Sequence, residues 1–137
     1  MISFWDRLLD TVSPRACVSC GDRLDVNERI ICTVCNLRMP RTEYADNPLD
    51  NEMARYFWHR IPIERCAALF FYKSGSASSN IIFKLKYCHR PDIAVEMGRI
   101  LANEFLPKGF FDNIDIIVPV PLARKRERER GYNQSVE

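Results

Sequence analysis

Four of the six cysteines in this 137-residue chain form two C-x-x-C pairs, Cys17-Val18-Ser19-Cys20 and Cys32-Thr33-Val34-Cys35, with eleven residues between them. A C-x-x-C turn aims both thiolates at one ion, and two such turns complete the closed four-sulfur tetrahedron that structural zinc prefers. Gly21 follows Cys20 directly, and glycine takes the backbone conformation that a tight knuckle often demands. The spacer is shorter than the commonest zinc spacing, yet long enough for a short hairpin. Four sulfur ligands leave no open coordination position, so a metal held by Cys17, Cys20, Cys32 and Cys35 would fold a module and do no chemistry. A redox dithiol and plain burial are the competing readings of the same residues. Cys66 and Cys88 have no matching knuckle and lie beside apolar or aromatic neighbours, which predicts small buried side chains. His59 and His89 have no acid or nucleophile at a recognisable spacing, so a structural or surface role is expected of both.

A second stretch that could bind something is the basic one near Glu137. Between Pro119 and Ser135 stand Arg124, Lys125, Arg126, Arg128 and Arg130 against only Glu127 and Glu129, so this stretch carries +3 while the whole chain carries +2. Two readings stay open. In the first, the cations meet phosphates of single-stranded DNA and Tyr132 stacks on a base. In the second, they form a solvated helix in which Arg124 pairs with Glu127 and Glu127 with Arg130.

The elements that must carry these residues follow from pattern. Ile2, Phe4, Trp5, Leu8, Leu9 and Val12 recur at helical spacing, and Pro14 ends that helix before the first knuckle. The polar run Arg41 to Glu52 reads as a linker. Three parts result: residues 1–45, helix and zinc ribbon; 46–65, linker; 66–137, a further domain. Within the last, Cys66 to Tyr72 reads as a buried strand and Lys73-Ser74-Gly75-Ser76 as a turn. Ser78 or Ser79 then caps a helix, and Pro91 starts another that presents Ile93, Met97, Ile100, Leu101 and Phe105 as one stripe. Ile116 to Val120 is an apolar β-branched run without alternation, as expected for a strand covered on both faces. The order strand, helix, helix, strand predicts an α/β domain.

With 47% hydrophobic and 28% charged residues the composition is that of an ordinary globular protein. No run approaches the roughly 20 apolar residues of a membrane span. Asp6, Arg7 and Asp10 interrupt any signal-peptide core, so a cytoplasmic protein with reduced thiols is expected.

Taken together, the two knuckles, Leu85-Lys86-Tyr87, Val118-Pro119-Val120-Pro121-Leu122 and Arg130-Gly131-Tyr132-Asn133-Gln134-Ser135 resemble the ComF family, over almost the whole chain. The resemblance implies a small zinc ribbon followed by the first part of a type I phosphoribosyltransferase-like parallel-sheet domain. It also implies links to nucleotide or nucleoside metabolism and to DNA uptake in natural competence. By that likeness Pro119, Pro121 and Arg130, Gly131, Tyr132, Asn133, Gln134 and Ser135 border a site for a phosphorylated sugar, with Arg126 and Arg128 as neighbouring anion binders. The family motif of adjacent acids followed by a Thr- and Gly-rich loop, which holds phosphoribosyl pyrophosphate with Mg²⁺ in a complete domain, is missing from this sequence. The chain therefore reads as the N-terminal part of a longer protein, inactive in phosphoribosyl transfer by itself. The alternative is a zinc-ribbon module that binds single-stranded DNA or a protein partner such as a competence helicase, with Phe57-Trp58 as a docking surface.

Overall fold

A computed structural model describes residues 14–137, so the helix expected over Met1 to Val12 lies outside the described residues. Five helices follow: α1 (Thr33–Leu37), α2 (Glu52–Arg55), α3 (Ala77–Tyr87), α4 (Pro91–Phe105) and α5 (Arg124–Arg130), with a 3₁₀ turn at Leu106–Lys108. The starts of α2 and α4 have plain local causes. Asn51 caps α2 by accepting from Ala54 N–H at 2.9 Å, and its Nδ2 donates to the carbonyls of Asn47 and Cys66. Ser76, two residues before the expected cap, opens α3, and Ser78 is buried in its first turn. Pro91 occupies the first turn of α4, where its missing N–H costs nothing.

The expected stripe on α4 is the one that packs. Ile93 and Phe105 are buried, and Met97, Ile100 and Leu101 lie against the same cores. One core joins Cys17, Val18, Leu24, Ile30, Ile31 and Met39 to Ile81 and Leu85 of α3 and to Ile93 and Ala94 of α4. A second gathers Ala45, Leu69 and Phe105 with Phe110 and Phe111. The cysteine-bearing loops thus rest directly on the helix pair. Asn80 Nδ2 adds a bond to Ser19 O at 3.0 Å, and Arg41 pairs with Glu104 at 2.6 Å.

The α/β expectation, a ribbon followed by a parallel-sheet phosphoribosyltransferase-like domain, is overturned. Among the described residues β pairing is confined to two isolated antiparallel bridges, Ala16 with Arg23 and Arg41 with Phe70. The apolar run from Cys66 lies beside residues 40–48 and exchanges a few scattered bonds with it: Phe71 N–H donates to Pro40 O and Cys66 N–H to Pro48 O, while Leu69 O accepts from Thr42 N–H at 3.4 Å. Prolines accept but cannot donate, so the ladder cannot propagate along this neighbour. The run Ile116 to Val120 has no strand partner among the described residues. Ile116, Ile117 and Val118 are 76–78% exposed, and Pro119 and Pro121 remove two donors from one edge of the segment.

Candidate metal centre

The two knuckles are built differently. In the first, Cys17 N–H donates to Asp22 O at 2.7 Å and Gly21 N–H returns to Cys17 O at 2.9 Å, closing a tight turn in which Gly21 has φ +84°. That left-handed value suits glycine, as the C-x-x-C-Gly string implies. The second knuckle is a helix start: Cys32 is the N-cap of α1, and Cys35 N–H donates to Cys32 Sγ at 3.4 Å. Between them the spacer doubles back. Val18 N–H reaches Ile30 O at 2.8 Å, and Cys32 N–H donates to Cys17 Sγ at 3.3 Å.

As a result the sulfur atoms of Cys17, Cys20, Cys32 and Cys35 all lie within 4.8 Å of one another. Cys20 and Cys32 are 3.8 Å apart at sulfur. A tetrahedron with metal–sulfur bonds of about 2.3 Å has edges of about 3.8 Å, so this pair already stands at the spacing a zinc-type ion requires. All four are free thiols. The cluster can therefore hold a metal ion such as zinc.

Electrostatics agree with that use. Burial works against ionisation of Cys17, yet backbone N–H groups of Cys20, Cys32 and Ser19 outweigh it and bring the thiol down to about 7. At Cys20 a backbone N–H from Asp22 favours the thiolate, but lost hydration and the side chains of Asp22, Cys35 and Cys17 overcome it and push the thiol up. Cys32 is raised in the same manner, its bond from Cys35 N–H being offset by lost hydration and the side chains of Cys35 and Cys17. Sulfur groups this close cannot all ionise unless a cation lies among them, and a dication supplies that charge.

Glu28 supports the site from within the spacer, and the cysteine spacing did not point to it. Its carboxylate accepts from Asp25 N–H at 2.8 Å and from Thr33 N–H and Oγ1 at 2.6 and 2.7 Å, tying the spacer to the start of α1. These donors lower its pKa, with the Asp25 N–H first among them.

The other cysteines divide. Cys66 is buried, and burial pushes its thiol up. Cys88 is exposed, contrary to expectation, because it caps the end of α3 and leaves the core face. His59 and His89 are both exposed.

The basic segment forms α5, closed by Gly131 with φ +82°. Neither expected ion pair of Glu127, with Arg124 or with Arg130, forms among the described residues. Arg130 Nε instead donates to Lys86 O at 3.0 Å, and its Nη1 reaches Gln134 Oε1. Tyr132 is half-buried in the main core, and its hydroxyl donates to Leu85 O and, at 3.2 Å, to Arg90 O. Asn133 Nδ2 donates to Val120 O at 3.0 Å, and its Oδ1 accepts from Ser135 N–H. Arg130, Tyr132, Asn133 and Gln134 are therefore fasteners, and the Tyr132 ring is not a free stacking face. Arg124, Lys125, Arg126 and Arg128 are exposed, as are Gly131 and Ser135. Phe57 is half-buried, and Trp58 is exposed with the Arg55 guanidinium 6.0 Å from its ring centre.

No helix among the described residues is long and apolar enough to cross a membrane. The class of molecule defined by the site is a protein with a four-cysteine cluster able to hold a metal ion. Comparison with protein-family models, curated proteins and solved structures finds no match for the chain.

Proposed function

We propose that this chain is a zinc-stabilised protein of the ComF type, cytoplasmic, serving DNA uptake and linked to nucleotide and nucleoside metabolism. Its described part acts in that role by binding single-stranded nucleic acid. The observation that carries the reading is the exposed cationic helix α5, fastened by Arg130 and Tyr132 to the same core that bears the cysteine cluster. The exposed guanidinium groups of Arg124, Arg126 and Arg128 suit a phosphate backbone, because neutralising phosphates releases counterions. Zinc is the metal of choice for four thiolates whose sulfur spacing matches its tetrahedron. Phosphoribosyl transfer would need Mg²⁺ and an adjacent acidic pair with its loop, and the anion binders present here do not replace that pair.

Binding of a labelled single-stranded oligonucleotide, followed by anisotropy across a salt series, tests the reading. Affinity should fall steeply as salt rises, and replacing Arg124, Arg126 and Arg128 with alanine should flatten the slope by about 2. Affinity indifferent to salt, or untouched by the triple replacement, contradicts it.

A further inference from the structure

Tyr72, Ile82, Phe83, Lys86 and Tyr87 line an apolar groove of about 640 Å³ along α3 and the segment before it. Lys86 and Tyr87 also line a second, polar cleft of about 330 Å³, whose other wall is Arg126, Glu129 and Arg130 of α5. The two depressions therefore meet at Lys86 and Tyr87. One side is aromatic and apolar; the other holds three cations against one acid.

Phe70, which also lines the groove, packs against the cores, but three further aromatic rings there do not. Tyr72, Phe83 and Tyr87 are 66%, 58% and 66% exposed. Phe83 and Tyr87 stand 5.3 Å apart with their planes 44° from one another, so each leaves ring surface open to solvent. By contrast Phe105, Phe110 and Phe111 pack on one another in the second core. The junction is also fixed: Arg130 Nε donates to Lys86 O, holding α5 at a set distance from α3.

We propose that this groove and cleft form one binding track for single-stranded nucleic acid. Bases stack on Tyr87 and Phe83, while the phosphates between them sit at Lys86 and Arg126. The proposal rests on the nucleic-acid reading above and gives it a location that the basic helix alone does not. Open aromatic faces beside a cationic rim fit a strand whose bases are unstacked and whose backbone is anionic. A duplex hides its base faces, and a purely apolar segment makes no use of the charges of Lys86 and Arg126.

The test is anisotropy titration of a labelled oligothymidylate roughly a dozen nucleotides long, a common site size, with the zinc-loaded chain. Tyr87→Ala and Phe83→Ala should each weaken binding on the order of tenfold, as loss of a stacking platform does. Tyr87→Trp should restore it, and Tyr56→Ala, which removes an exposed ring elsewhere, should change nothing. An abasic strand of the same length should bind the unaltered chain on the order of tenfold more weakly; this comparison needs no variant to fold. If both alanine variants bind as the unaltered chain does, or the abasic strand binds equally well, the track is wrong while charge-driven binding by α5 stands. If the unaltered chain fails to bind the oligothymidylate at low salt, both readings fall.

Discussion

The cysteine-bearing loops of residues 14–39 and the segment of residues 114–135 are of similar size and are held in opposite ways. In the first, apolar side chains from Cys17 to Met39 enter the main core and four sulfurs converge. In the second, Ile116, Ile117 and Val118 stand in solvent, and order comes from side chains reaching back to carbonyls: Arg130 to Lys86, Tyr132 to Leu85 and Arg90, Asn133 to Val120. The difference shows what each region depends on. The loops rest on the face of α3 and α4 and carry a cluster able to hold a metal ion; the later segment rests on a few latches, each worth about as much as an ordinary hydrogen bond.

Removing the metal should break the comparison most severely. Replacing Cys17 or Cys32 with serine, or adding a strong chelator, should unfold residues 14–40, since metal binding in such modules contributes on the order of 10 kcal/mol. Amide chemical shifts of that region, followed by NMR, measure it. Ile81→Ala should come next. Ile81 is fully buried where the loops meet α3, and an isoleucine-to-alanine cavity costs about 2–5 kcal/mol by denaturant unfolding.

The later segment should respond less. Tyr132→Phe removes one hydroxyl donor shared between two carbonyls, so a loss of about 1 kcal/mol is expected, with α5 showing faster amide exchange than α4. Glu28 sharpens the comparison through pH. Its folded pKa lies below the usual 4.5, so its contribution is complete above that value and is lost as pH falls through the lowered folded one. Glu28→Gln should therefore reduce the steepness of acid unfolding in this window. Ile117→Ser should have the smallest effect, within about 0.5 kcal/mol, because the side chain is 78% exposed. A loss of several kcal/mol there would mean that the segment is covered after all.

The same contrast explains what could be read in advance. The cysteine site was legible because a C-x-x-C turn is made by four neighbouring residues, whatever the rest of the fold does. The stripe on α4 was legible for a similar reason: Ile93, Met97, Ile100, Leu101 and Phe105 follow from helical period alone. Strands are different, because an apolar β-branched run becomes one only if a distant segment lies alongside with donors and acceptors in register. For Cys66 to Tyr72 that neighbour contains Pro40 and Pro48; for Ile116 to Val120 none exists among the described residues. Tyr132 misled for a related reason, since its hydroxyl partners, Leu85 and Arg90, lie more than 40 residues away in sequence.

The central claim is that a metal ion held by Cys17, Cys20, Cys32 and Cys35 keeps the loops folded on α3 and α4. Its most direct test is elemental analysis of the purified chain, paired with NMR spectra before and after exhaustive chelation. About one tightly held zinc per chain is expected, with loss of shift dispersion across residues 14–40 when it is removed. A metal-free chain whose spectrum is equally dispersed in that region would contradict the account.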